Sequence, residues 1–385
     1  MLRREENSQD IWLLGAVIVL VLMGLFMIYS ASSFRAEEKY GDASIFFKAH
    51  FFRVLMGVAA LFLASKIDYH RYKTLMPFLF LGLLILLFVV FFGSKFNGSR
   101  RVMSLLGKSF QPSELMKLVM ILYLAGMLGL RLDKNTLSGD RIAIHYGVLL
   151  FVVGIIFLEP DLGTSLVVFF VGFTMFYLAG VSWRYLLRMG GVVVPIVLLG
   201  ITVFPYQKRR LMDFIHSVFT GGEGSYQVKQ SIIGLAQGGL LGTGYGAGKQ
   251  KMLFLPEPFS DFILSSLGEE LGFIGILTVF VLLSFILWRG IKIAQNASDR
   301  YGFLLAGGIT TLIMVNALIN AGVAVNLLPT TGLPFPFLSY GGSSLIVLMG
   351  SVGILMNISK AKPVSYKKFT RQRASAPRYQ VGRMS

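Results

Sequence analysis

Cysteine is absent from the 385 residues, so neither a disulfide framework nor a thiolate site is available, and cysteine usage says nothing of the redox compartment. Charge is scarce at 14% of residues, against about a quarter in an average soluble protein. Acidic residues are scarcer still, 19 against 36 Lys and Arg. No HExxH, GxSxG or Asp-x-Asp pattern occurs, so zinc hydrolysis, serine acyl transfer and ordinary nucleotide-sugar transfer lack support. What is abundant is apolar sequence: 55% of the chain is hydrophobic, gathered into long uncharged runs. That composition excludes a soluble globular domain and indicates an all-α polytopic membrane protein.

Ten spans of roughly the ~20 residues needed to cross a bilayer are expected near 11–31, 47–65, 74–93, 113–130, 145–158, 162–180, 189–205, 262–288, 302–325 and 338–358. The first follows a short charged start at 1–10 and is too long for a signal-peptide core, so it reads as a retained helix. An even number of spans puts both termini on one side. The tail, 359–385, carries Lys360, Lys362, Lys367, Lys368, Arg371, Arg373, Arg378 and Arg383 without an acidic residue. By the positive-inside rule both termini are then cytoplasmic, and the tail serves as a topology anchor that also touches anionic lipid. The net charge of +17 thus reflects topology rather than nucleic-acid binding.

Two segments expected outside break the rule. The loop near 94–112 holds Lys95, Arg100, Arg101 and Lys108 with no carboxylate. The long loop of about 206–261, between the seventh and eighth spans, holds Lys208, Arg209, Arg210, Lys229, Lys249 and Lys251. Cations on a translocated face need another purpose, and an anionic ligand is the simplest one. Leu211, Phe214, Ile215, Val218 and Phe219 recur at helical spacing beside Lys208–Arg210, the pattern of an amphipathic helix in the headgroup plane. The Gly242-Thr-Gly-Tyr-Gly-Ala-Gly-Lys249 run looks like a phosphate loop. Thr243 and Gln250 break the required spacing, so it reads as a flexible glycine hinge carrying a basic residue.

Leu255-Pro-Glu257-Pro-Phe-Ser-Asp261 leads directly into the eighth span, where Glu269 and Glu270 follow. Asp261 suits two roles, a helix N-cap or an exposed acid at the membrane's outer rim. Glu269 and Glu270 lie deeper, where an ionised carboxylate is expensive unless paired or hydrated. Glu114 can meet Lys117 at i,i+3, or Lys117 can form a positive wall of an outer cavity. Glu159-Pro-Asp161-Leu-Gly163 reads as a turn, with a carboxylate pair as the alternative. Arg53, near the outer end of its span, can snorkel. The uncharged, helix-breaking stretch Pro329–Ser344, with Ser339 and Tyr340, belongs at membrane depth only as the wall or lid of a cavity.

Together, Asn97–Arg101, Phe110–Lys117, Glu159–Thr164, Tyr226-Gln227 with Gln230-Ser231, Gly248–Lys251, Leu255–Glu257 with Asp261–Ile263, Gly268–Gly272 and Leu328–Ser344 resemble the SEDS (FtsW, RodA and SpoVE) family of peptidoglycan polymerases, closest to FtsW. Val102 stands where the family usually has Trp, and Asn326 where glycine is common. The resemblance implies a glycosyltransferase of the bacterial cytoplasmic membrane, serving division or wall synthesis. Its substrate would be lipid II, polymerised at the outer leaflet beside a class B penicillin-binding protein. It implies Asp261 as general base. Arg100, Arg101, Lys117, Lys249, Lys251, Glu257, Ser339 and Tyr340 would contact substrate, and Glu114, Asp161, Glu269 and Glu270 would support the site. Arg and Lys side chains or a divalent cation, Mg or Mn, would stabilise the leaving pyrophosphate. A lipid II flippase is the rival reading, and a noncatalytic scaffold leaves the intramembrane carboxylates unexplained.

Overall fold

The computed structural model describes residues 9–92, 103–105, 108–133, 139–220, 225–252 and 254–360. Its helices are α1 (Ile11–Tyr40), α2 (Ile45–Lys66), α3 (Tyr69–Phe92), α4 (Pro112–Asp133), α5 (Gly139–Leu158), α6 (Leu162–Leu178), α7 (Trp183–Val203), α8 (Pro205–Thr220), α9 (Tyr226–Gly238), α10 (Ile263–Gln295), α11 (Arg300–Ala324) and α12 (Ser343–Ser359). A short antiparallel hairpin, β1 (Met103–Leu105) and β2 (Lys108–Phe110), precedes α4. Among the described residues, seven helices are long and apolar enough to cross a membrane, and α6 and α12 are shorter apolar helices.

The expected spans all fall on helices, but their edges differ. α1 runs 30 residues, about 45 Å at 1.5 Å per residue, so it outruns a ~30 Å hydrocarbon core. α7 begins at Trp183 rather than 189 and takes in Arg184 and Arg188, both exposed. Long basic side chains reach the polar zone while their backbone stays helical. The amphipathic segment expected beside Lys208–Arg210 is α8, and it shows Met212, Ile215 and Val218 to the outside. α9 and the hairpin lacked a sequence signal.

Capping sets several helix starts. Asp10 accepts from Leu13 N, Asp161 from Thr164 N and Asp299 from Gly302 N, the N-cap bond that satisfies an orphan amide. Asp10 also pairs with Arg289 at 2.6 Å, which ties the start of α1 to the end of α10. Small residues let helices close in, as in membrane packing generally. A Cβ on Gly353 of α12 would lie 2.3 Å from the Leu61 carbonyl of α2, and one on Gly24 of α1 would lie 2.8 Å from the Leu338 backbone. The segment between α11 and α12, 325–342, is thereby held inside the bundle as non-helical backbone, with Leu333, Phe335, Phe337 and Leu338 buried.

Candidate active site

Asp261 lies in the turn just before α10. Phe262 takes the cap position there and makes no side-chain cap bond, so the N-cap role considered for Asp261 is not the one it has. The half-buried carboxylate borders instead a small cleft lined with Arg210 of α8, Gln227 of α9, Asn320 of α11 and Thr331 and Gly332 of the 325–342 segment. Three elements hold it there. Ser260 Oγ donates to Asp261 Oδ1 at 3.2 Å. Asn320 Nδ2 donates to the Asp261 carbonyl at 2.8 Å and to the Leu333 carbonyl at 2.7 Å, which binds the two loops to α11. Gly332 sits at φ +71°, and a Cβ there would stand 3.5 Å from Asp261 Oδ2. Glycine thus serves twice, adopting a left-handed conformation and keeping its own side chain off Oδ2. Arg210 Nη1 donates to the Thr330 carbonyl at 2.8 Å, which carries a guanidinium to the rim.

The 325–342 segment forms the wall expected of it. Ser339 is buried, and its hydroxyl donates to the Ser260 carbonyl at 2.6 Å while accepting from Phe335 N at 2.8 Å. Tyr340 N donates to the Phe259 carbonyl at 2.8 Å, and its ring packs edge-on against Phe259. Ser339 is therefore a strut behind Asp261, with its hydroxyl spent on backbone groups. Arg53 stacks on Tyr340 at 4.3 Å instead of snorkelling outward. His50, one turn earlier on α2, is fully buried with neither ring nitrogen partnered among the described residues.

The other expected residues separate into groups. Glu257 is exposed at φ +54° on the turn leading to Asp261. Lys249 is exposed. Lys251 is not: it is buried, and its ammonium contacts Glu270 Oε1 at 2.7 Å and Ser30 Oγ at 2.8 Å, so its charge is committed within the protein. Glu270 also accepts from Ser30 and from Gly246 N, and Glu269 Oε1 accepts from Lys249 N and Gln250 N. The glycine run that looked like a phosphate loop does cradle anions with its amides, but they are the protein's own carboxylates. A Cβ on Gly248 would crowd Glu269 Oε2 at 3.0 Å. It is a docked structure, not a flexible hinge. Lys117 and Glu114 form a buried pair at 2.7 Å. Asp161 caps α6 and accepts from Gln111 Nε2 at 2.7 Å. Arg100 and Arg101 lie outside the described residues.

Two cleft residues escaped the sequence reading as individuals: Asn320, and Thr331 inside a stretch noted only as a whole. An uncharged amide in an apolar span was the available signal, since polar side chains in a bundle are placed for specific bonds.

Residues 11–363 match the FtsW, RodA and SpoVE family, described as cell cycle protein. The chain belongs to this family. It is 37% identical over 359 residues to the probable peptidoglycan glycosyltransferase FtsW of Geobacter metallireducens, covering 92% of this chain and 96% of that one. Its fold matches the rod shape determining protein RodA of Thermus thermophilus with a TM-score of 0.69 and 26% identity, over 92% and 97% of the two chains. It also matches, at a TM-score of 0.74 and 24% identity over 92% and 98%, a chain from a structure described as "Structural coordination of polymerization and crosslinking by a peptidoglycan synthase complex". Family and helices together make this a multi-pass membrane protein.

Proposed function

We propose that this protein is a peptidoglycan glycosyltransferase that polymerises lipid II at the outer face of the bacterial cytoplasmic membrane, with Asp261 as general base and both termini in the cytoplasm. The observation that carries the reading is the half-buried Asp261 carboxylate, fixed on its backbone side by Asn320 and set beside Gly332 in a cleft rimmed by Arg210. Family relatives named peptidoglycan glycosyltransferase support the reaction class. Glycosyl transfer from a prenyl pyrophosphate needs a carboxylate within hydrogen-bond reach of the acceptor hydroxyl, to take its proton as oxygen attacks the anomeric carbon. The bond from that carbon to the pyrophosphate oxygen breaks, and the leaving group departs as an anion. It needs charge stabilisation more than a proton, and Arg210 is the described cation at the cleft.

Among the described residues no group of three or more His, Asp or Glu side chains gathers to cage a metal. An Mg or Mn ion here would be held by Asp261 together with substrate phosphates, the usual arrangement for magnesium, and would neutralise charge on the pyrophosphate. The partner, as in a synthase complex, would be a class B penicillin-binding protein, the transpeptidase that crosslinks the new strand.

The test is polymerisation of labelled lipid II by the purified complex, native against Asp261→Asn. Loss of a general base lowers turnover by about 10²–10⁴-fold, so the variant is expected to give no visible polymer. Equal polymer from both would remove Asp261 from the chemistry. Lipid scrambling in vesicles without polymer from the native complex would replace the enzyme with a transporter.

A further inference from the structure

Two buried polar atoms in the Asp261 cleft have no hydrogen-bond partner among the described residues: Asn320 Oδ1 and Thr331 Oγ1. Their residues are 2% and 5% exposed. Buried polar groups are rarely left unpaired in native structures, and a pair of them lining one cleft calls for an explanation. The orientation of Asn320 is not arbitrary. Its nitrogen must face the carbonyls of Asp261 and Leu333, because both accept from it, so the acceptor oxygen is left to the opposite side. Thr331 is held close against α6, where a Cβ on Gly163 would come within 3.1 Å of Thr331 Cβ. Next to it Gly332 adjoins the Asp261 carboxylate.

We propose that Asn320 Oδ1 and the Thr331 hydroxyl form a saccharide subsite beside Asp261, taking a hydroxyl or acylamino group of the acceptor sugar. The inference rests on the glycosyltransferase reading and adds the chemistry of what sits next to the base. Asn320 Oδ1 and a carboxylate can only accept, and Thr331 can do either. A ligand here must bring donors, which a sugar's O–H and N–H groups do. A phosphate brings only acceptors and gives Asn320 Oδ1 no partner, so a sugar hydroxyl or acylamino group suits this subsite better and the pyrophosphate is favoured on the cationic side of the cleft.

Thr331→Val tests this, since it keeps the shape and removes only the hydroxyl. An orphan hydroxyl contributes nothing to the unliganded fold, so the variant should melt at or above the native temperature. Its apparent KM for lipid II should rise about 3–10-fold, the usual worth of one hydrogen bond, with kcat within twofold and Thr331→Ser restoring KM. An unchanged KM overturns the proposal. So does a lower melting temperature with a kcat loss, which marks a structural role, or a defect cured by raising Mg or Mn, which marks a metal ligand. Lipid II binding without turnover is read in the Asp261→Asn background, with and without Thr331→Val. Weaker binding in the double variant supports the subsite, and equal binding rejects it. A native protein that makes no polymer sinks the polymerase reading alone.

Discussion

Ser339 and Lys251 show how a polar side chain near an active site can be occupied by its own protein. The Ser339 hydroxyl closes two backbone groups at once, the Ser260 carbonyl and Phe335 N. Ser339→Ala leaves both unpaired in a buried place, which costs about 1–3 kcal/mol. The expected result is a lower melting temperature in detergent together with slower polymerisation at unchanged KM, because the turn carrying Asp261 loosens while the contact surface stays. Lys251 and Glu270 are 5% and 1% exposed. Lys251→Met strands Glu270 as an uncompensated buried charge and is expected to destabilise by about 3–5 kcal/mol. Adding Glu270→Gln should recover most of that loss, as read by thermal unfolding of the native protein and the two variants. Were Lys251 a substrate ligand, the double variant would regain stability without regaining turnover.

The turn between α1 and α2 shows what helix connections contribute. Gly41 ends α1 in the left-handed region at φ +68°, and Asp42 then accepts from the Ser44 hydroxyl and amide and from Lys48. The Ser44 hydroxyl, then its amide, then Lys48 hold the Asp42 carboxyl at about 2, below its ordinary 3.8. A carboxylate depressed in the folded state stabilises above its unfolded pKa and loses that contribution as pH falls through the folded value. Asp42→Asn is therefore expected to lower the melting temperature slightly at pH 5, with the gap from native closing between pH 4 and pH 2. The elements themselves were legible because apolar runs of bilayer length leave few alternatives. α8 was legible from its one-sided apolar spacing. α9 and the β1–β2 hairpin were not, since Tyr226–Gly238 and Met103–Phe110 mix polar and small residues without a strong period. The site was half legible. Asp261 and the 329–344 wall stood out as an acid and a charge-free, helix-breaking run, both anomalous beside a membrane span. The commitment of Lys251 to Glu270 could not be seen, because it depends on a loop folding back across 19 residues.

At the scale of the molecule, the glycine-rich loop joins α9 to the bundle. Gly272 breaks α10 at φ +66°, and the carbonyls of Glu269 and Glu270 accept from Thr243 N and Gly244 N, while Phe273 N and Ile274 N donate to Gly239 and Leu240. Backbone groups freed by a break within a membrane helix must find partners, and here the loop provides all four. Gly242 approaches so closely that a Cβ would stand 2.1 Å from the Glu270 carbonyl, at φ +83°. Gly242→Ala is expected to cost at least the ~1–3 kcal/mol of a strained backbone, seen as reduced yield and a lower melting temperature, with loss of turnover at Asp261.

That seam divides α10 into two segments. Its first turns, Ile263–Leu271, are fastened to the glycine-rich loop while Ile263, Leu264 and Leu267 pack in the bundle core, and the remainder is held by the bundle. Amide exchange on the intact protein should therefore divide at Gly272, with residues 263–271 sharing the protection of 238–250 and parting from 273–295. The proposed base, Asp261, is thus mounted at the loop-fastened end of α10, so that force applied to the glycine-rich loop reaches it through backbone hydrogen bonds.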